Sequence, residues 1–397
     1  FVIFATGCLS VPFTPPIAGL ADFSGSTYTT GHWPHEPVDF SGQKVAVIGT
    51  GSSAIQSIPL IAKEAAEVTV FQRTANYSVP ARNAMASSEI SSETKESYQA
   101  LRELAKTTPS GILTYPNPVS ALEVSDQERM AAYEKRWENG GLAFLAAFSD
   151  IMTDQKANDT ASDFFKNKIR SIVRDTETAE ALCPTFPLGG KRMCVDTEFY
   201  ETFNRDNVSL VNLKKEPIES IDGNILYTTS RSFEFDTIVL ATGFDAMTGA
   251  LNAVDIRGKE NLSLKQTWSE GPDNYLGLMV NGFPNLFTVT GPGSPSVFTN
   301  MLMAIEQHVD WITDCLEHMA ANDLTRIEAQ PKAQLEWGTE VQRAANQFLR
   351  SDTDSWYTGA NIEGKKNVFM PYMGGLPAYR DTCDEVASDS YRGFKLA

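Results

Sequence analysis

The stretch KVAVIGTGSSAIQSIPLIAKEAAEVTVFQR, residues 44–73, decides the fold. Its apolar run from Val45 to Ile48 predicts a buried strand. A glycine turn follows, then a helix with Ile55, Ile58 and Ile61 on one face, then a second strand from Val68 to Phe71. That order is a βαβ unit, in which the helix is the crossover between parallel strands. The turn Gly49-Thr50-Gly51-Ser52-Ser53-Ala54 fits the dinucleotide-binding pattern GxGxxA, with Gln56 early in the helix that follows. Gly49 permits the tight turn, Gly51 lets backbone approach a pyrophosphate, and Ala54 lets helix pack close to strand. The helix N-terminus adds N–H donors and positive potential. An incidental glycine turn is the competing reading; strand, helix and second strand in their proper order weigh against it. At the end of the second strand an acidic residue suits the ribose hydroxyls of NAD. Gln72-Arg73-Thr74 stands there instead, and an arginine suits the 2′-phosphate of NADP through charge-assisted hydrogen bonds. A solvated surface arginine is the alternative for Arg73.

Outward from this unit, FDTIVLATGFD carries a strand ending in Ala241-Thr242-Gly243, and the first residues, FVIFATG, repeat that strand-then-ATG arrangement. Each alone is a tight turn after a buried strand. Together, flanking a βαβ unit, they predict a chain that leaves one nucleotide-binding domain, builds a second and returns to the first. The opening run lacks the polar lead-in that normally precedes such a strand, so an upstream segment carrying a further glycine turn is expected. Residues 10–39 are rich in Pro, Gly, Ser and Thr and read as a loop. From about 84 to 180, charged and Ala-rich stretches with apolar residues three and four apart predict helices. Strand patterns return at VSLVNL, ILYTT and FEFDTIVL, where the interrupted sheet is expected to resume.

The composition narrows the chemistry. With 397 residues, 42% of them hydrophobic, the chain can bury two or three cores. A net charge of −17 disfavours a nucleic-acid partner. Five scattered cysteines without a CxxC pair argue against a disulfide framework or a zinc site, and for a reducing, cytoplasmic setting. No apolar run is long enough for a membrane span, so no membrane partner is expected. GxSxG and HExxH are both missing, which disfavours a serine hydrolase and a zincin. Neither the four histidines nor the cysteines form a haem, copper or iron ligand set, so redox chemistry here calls for an organic cofactor.

FSGSTYTTGHWP, from Phe23 to Pro34, resembles the fingerprint FxGxxxHxxxW(P/D) of the Baeyer–Villiger monooxygenases. The resemblance continues through QRTANYSVPARN, GGKRM, FNRDNV, LATGFDAMTGAL, GPGSPSVFTNM and SWYTGAN, with the phenylacetone- and steroid-type members most similar. Phe23, Gly25, Trp33 and Pro34 keep the fingerprint, whereas Thr29 stands at its histidine. His32 is nearby, but on an extended chain it falls on the opposite face from Thr29.

The resemblance implies an α/β flavoprotein with two dinucleotide-binding domains and an inserted helical domain. Residues 12–80 and 188–244 then form a Rossmann-like NADP domain, 81–187 the insertion, and 1–11 with 245–397 a partial FAD domain. It implies FAD and NADP(H) as cofactors, a ketone and molecular oxygen as substrates, and an ester or lactone formed by way of a flavin peroxide. Lys191 is implied to bind the 2′-phosphate, Trp356 to contact NADP, and Ala241, Thr242 and Gly243 to belong to the cofactor machinery. Ser296, Val297, Phe298 and Met301 are implied to shape the ketone pocket, and Arg192 to be the active-site arginine. Chemically, an anionic oxygen adduct needs a donor that cannot lose its proton, and arginine is that side chain. A structural ion pair is the alternative for Arg192, and core packing for Trp356, Phe298 and Met301. Oxygenation of nitrogen or sulfur, and a bare NADP-binding module without the upstream FAD segment, are the competing functions. In the latter case the chain is expected to be inactive.

Overall fold

The computed structural model describes residues 1–85, 87–349 and 353–397. Two compact units emerge. One comprises residues 1–11, 84–115 and 245–397, the other 12–83 and 116–244.

The second unit is built on a five-stranded, all-parallel sheet. Its strands run in the order Ser26–Thr29, Thr237–Leu240, Lys44–Ile48, Glu67–Gln72 and Val208–Asn212. Helix Ser52–Glu64 makes the expected crossover. Period-two alternation explains why both faces are filled. Val45, Val47, Val68 and Val70 point to one side, where Ile55, Ile58 and Ile61 of the helix meet Phe199, Tyr200 and Phe203. Ala46, Ile48, Phe71, Ile238 and Leu240 point to the other, against Phe23, Leu226 and Phe235. Each large side chain so enclosed contributes roughly 1.5–3 kcal/mol.

Three sequence expectations are corrected here. Residues 10–39, read as a loop, contain the edge strand Ser26–Thr29, hidden in the sequence because Ser-Thr-Tyr-Thr shows no apolar run or alternation of the kind that marks a strand with a buried face. FEFDTIVL is two strands rather than one. Ser232–Glu234 joins an antiparallel sheet with Ile225–Thr228 and Ile218–Asp222, while Thr237–Leu240 enters the parallel sheet. The break falls at Asp236, whose carboxylate accepts a 2.8 Å bond from the Lys44 N–H. ILYTT therefore does not resume the interrupted sheet.

Helices Asp126–Asn139, Gln155–Ile172 and Thr176–Leu182 also belong to this unit. Ser125 and Glu128 form a reciprocal capping box on the first, and Asp154 and Asp175 cap the other two. Their core is aromatic, with Tyr133, Trp137, Phe144, Phe164 and Phe165 packed ring on ring.

The first unit holds the short parallel pair Val2–Phe4 and Leu286–Thr288, an antiparallel pair Ile327–Ala329 and Phe394–Leu396, and helices Ser88–Lys106, Met301–Ala321, Pro331–Ala345 and Leu376–Ser388. Among its described residues no helix is long and apolar enough to cross a membrane. His308 sits fully buried in this core. Its Nδ1 accepts from the Thr290 N–H at 2.9 Å, so Nε2 carries the proton and donates to the Tyr379 hydroxyl at 2.7 Å, which in turn donates to the Leu276 carbonyl. Burial pushes its pKa down to about 3. As pH falls below about 6.5, the unfolded chain gains a proton that the folded ring resists, so this stabilisation is present above that pH and drains away toward 3. The gap in stability between the parent and His308→Gln should accordingly narrow as pH falls through that window, read from melts at successive pH values. An unchanged gap would refute the neutral ring.

Candidate functional site

The glycine turn is where the second unit is organised for a ligand. Gly49 has φ 115°, and a Cβ there would lie 2.3 Å from the carbonyl oxygen of Ala241. Glycine is thus demanded by a neighbouring backbone as well as by the turn. Ala54 is fully buried, as close helix–strand packing requires. Thr50 donates its hydroxyl to the Thr74 carbonyl at 2.9 Å, and Asn76 Nδ2 donates to the Thr50 carbonyl at 2.7 Å. These bonds fasten the turn to the segment that carries Arg73.

Gly51 is different. It is the N-cap of the helix with ordinary extended geometry, no side chain caps the helix there, and a Cβ on it would meet nothing within 4 Å. The Ser52 and Ser53 N–H groups at this helix start receive no side-chain cap. Uncapped donors with positive potential beside a gap are the features of a phosphate cradle. Arg73 is exposed and has no ion-pair partner among the described residues, leaving its fork free for an anion.

Residues 184–190 lead into two further cations, Lys191 and Arg192. Asn158, fully buried, donates to the carbonyls of Ile151 and Leu188 at 2.7 and 2.9 Å and accepts from the Leu188 N–H at 2.9 Å, pinning this loop. Lys191 emerges over the Phe186 ring at 5.3 Å, and Arg192 is exposed, without an ion-pair partner among the described residues. The strand Cys194–Asp196 follows at once and pairs in parallel with Ser78–Pro80. Burial pushes the Cys194 thiol up to about 12, so it is no nucleophile.

Ala241, Thr242 and Gly243 form the turn after strand Thr237–Leu240. Thr242 donates its hydroxyl to the Phe13 carbonyl, and the Phe13 N–H donates to Gly243 at 2.8 Å. Of the fingerprint, Phe23 is core, and Gly25 could carry no Cβ because the Asp236 carbonyl lies 2.2 Å from where it would stand. Trp33 packs partly exposed on Tyr28 and Phe40, beside Pro34. Thr29 ends the edge strand, level with Leu240. The expectation for His32 rested on an extended chain, yet Thr30–His32 is a 3-10 turn, so alternation does not apply there.

The first unit gathers its own set. Val297, Phe298, Met301 and Trp356 pack with Cys8, Met247, Tyr357 and Phe369 into one apolar cluster. The Phe298 ring lies 4.6 Å from Tyr357 and 5.9 Å from Phe369, while Trp356 lies 4.2 Å from Tyr357. Ser296 is the exceptional member. It is fully buried, its φ is 41°, and its hydroxyl finds no hydrogen-bond partner among the described residues. Left-handed backbone costs a non-glycine residue of order 1–3 kcal/mol, and an unpaired buried hydroxyl about as much again. A bound group that accepts from Ser296 removes the second cost, which is how this loop fits a cofactor or substrate. Residue patterns did not single out Met247, Tyr357, Phe369 or Asn76. Only Asn76 carried a hint, as a short polar side chain just after the arginine.

No protein-family model matches the chain. Cyclohexanone 1,2-monooxygenase of Acinetobacter sp. is 40% identical over 399 residues, covering all of this chain and 73% of that protein. A protein of Pseudooceanicola batsensis called Baeyer–Villiger monooxygenase is 37% identical over 394 residues, 98% of this chain and 72% of its own length. A phenazine N-monooxygenase of Lysobacter antibioticus is also 37% identical, over 100% of this chain and 73% of that one. In three dimensions, an oxidised steroid monooxygenase bound to NADP superimposes with a TM-score of 0.94 at 46% identity, covering 100% of this chain and 75% of its own.

Proposed function

The chain belongs to the Baeyer–Villiger monooxygenases, and from that premise we propose that it oxygenates a ketone to an ester or lactone with FAD and NADPH. Bound FAD, reduced by NADPH, supplies the electrons with which one atom of molecular oxygen is inserted beside the carbonyl while the other leaves as water. The observation that carries the cofactor half of this reading is the uncapped helix start at Gly51 next to exposed Arg73.

The N–H groups of Ser52 and Ser53 hold the pyrophosphate. Arg73 and Lys191 hold the 2′-phosphate, with Thr50, Thr74 and Gln56 around the turn. Arg192, permanently charged, steadies negative charge that develops at the carbonyl oxygen. Ser296, Val297, Phe298 and Met301 shape the ketone pocket, and Trp356 is assigned to the cofactor on the resemblance. Residues 12–80 and 188–244 are assigned to the NADP domain, 81–187 to an insertion, and 1–11 with 245–397 to the FAD domain. Five buried cysteines suit a reducing compartment, so a cytoplasmic location without nucleic-acid or membrane partners completes the proposal.

N-oxygenation is the second reading, favoured by the phenazine N-monooxygenase among the relatives. The protein, supplied with FAD and NADPH, should be offered a cyclic ketone, a thioether and an aromatic N-heterocycle side by side. Lactone is the expected main product. Sulfoxide or N-oxide without lactone would overturn the assignment.

A further inference from the structure

Among the buried ionisable groups of the second unit, one carboxylate is left without a part in the chemistry above. Asp196 is only 5% exposed, yet both of its oxygens are engaged. Oδ2 accepts from the hydroxyl of fully buried Ser78, and Oδ1 accepts from the Phe199 N–H at 3.1 Å. Its backbone carbonyl takes a further bond from the Ala81 N–H at 2.7 Å, and strands Ser78–Pro80 and Cys194–Asp196 lie in register, with Ser78 opposite Cys194.

What this carboxylate joins is informative. On one side, Ser78 continues the segment that starts at Arg73 and is bolted to the glycine turn through Thr50, Thr74 and Asn76. Tyr200 ties into the same segment, accepting from the Ser78 N–H at 3.2 Å and donating to the Asn76 carbonyl at 3.3 Å. On the other side, Asp196 ends the strand that starts at Cys194, two residues after Arg192. The Cys194 N–H donates to the Tyr77 carbonyl at 2.9 Å, and the Tyr77 hydroxyl donates to the Phe186 carbonyl at 2.9 Å, beneath Lys191. Hydrogen bonds thus tie the glycine turn to the segment through Ser78, to strand Cys194–Asp196 and to Phe186, whose ring lies under Lys191, and the one acidic side chain among them is Asp196. Two flexible cationic arms from distant parts of the chain can grip one phosphate only if their bases are fixed relative to each other.

We infer that Asp196 is a positioning residue for 2′-phosphate recognition: its bond to Ser78 locks the Lys191–Arg192 arm against the Arg73 arm. This inference rests on the proposed roles of Arg73 and Lys191. A buried carboxylate held by a hydroxyl and an N–H makes a stiffer clamp than a neutral side chain, because charge-assisted bonds are shorter and roughly twice as strong.

The test is the affinity of the protein for NADP+ and NAD+, measured by calorimetry, in the parent, Asp196→Asn, Ser78→Ala, Arg73→Ala and Lys191→Ala. NAD+ lacks the 2′-phosphate and reports on the rest of the site. Asp196→Asn and Ser78→Ala are each expected to weaken NADP+ about tenfold while leaving NAD+ within about twofold. If one variant fails to fold, the other decides. Equal weakening of both nucleotides, or a lowered melting temperature with both affinities intact, would make Asp196 a purely structural residue. If Arg73→Ala and Lys191→Ala shift the NADP+ to NAD+ ratio while the clamp variants do not, the clamp alone falls. If neither arm variant shifts it, the 2′-phosphate reading falls and takes the clamp with it.

Discussion

Arg192→Ala should slow ketone oxygenation by roughly 10²–10³-fold while NADP+ still binds. The expectation follows from where the residue stands. Its guanidinium is exposed and makes no ion pair among the described residues, which weighs against a structural salt bridge. Its backbone, by contrast, is fixed between the loop pinned by Asn158 and the strand Cys194–Asp196. A fixed base with an uncommitted head is the arrangement of a side chain waiting for an anion. Arg192→Lys should recover only part of the rate, because a point charge cannot reproduce two parallel N–H donors. Ester formation, followed by product chromatography beside NADP+ titrations, separates the outcomes. A rate within tenfold of the parent would leave Arg192 as a surface arginine.

The βαβ unit is legible in the sequence and the side chains that fix the Lys191–Arg192 segment are not, for a physical reason. The signals of the βαβ unit are local: the unbroken apolar run Val45–Ile48 and the apolar residues three apart in Ile55–Ile61 require nothing distant. Glycine positions are legible where the turn itself demands them. The edge strand Ser26–Thr29 was not, since its order comes from a partner more than two hundred residues away at Thr237–Leu240. The split of FEFDTIVL was hidden for the same reason, because Asp236, where the run breaks, is engaged by the distant Lys44 and Ser26. Asn158, Asp196 and Ser78 are ordinary polar residues in the sequence. Their importance arises from burial, which turns each unmet hydrogen bond into a cost and so fixes the loops that carry Lys191 and Arg192.

The same distinction between local and distant demands gives two neighbouring glycines opposite expected outcomes. Gly49→Ala places a Cβ 2.3 Å from the Ala241 carbonyl oxygen at a φ of 115°, and neither backbone can yield cheaply. Strain and overlap together should cost about 2–5 kcal/mol, visible as a lowered midpoint in urea. Gly51→Asp meets nothing within 4 Å, and Gly51 has φ −83°, open to any residue. There an aspartate becomes the missing cap of helix Ser52–Glu64, so stability should hold or rise by a few tenths of a kcal/mol. Yet the new carboxylate occupies the donors and repels a pyrophosphate, so NADP+ affinity should fall at least a hundredfold. Loss of binding together with a stability gain can come only from competition for the helix N-terminus itself. Undiminished NADP+ binding by Gly51→Asp would instead mean that the open space beside Gly51 belongs to solvent, and that the dinucleotide is held elsewhere.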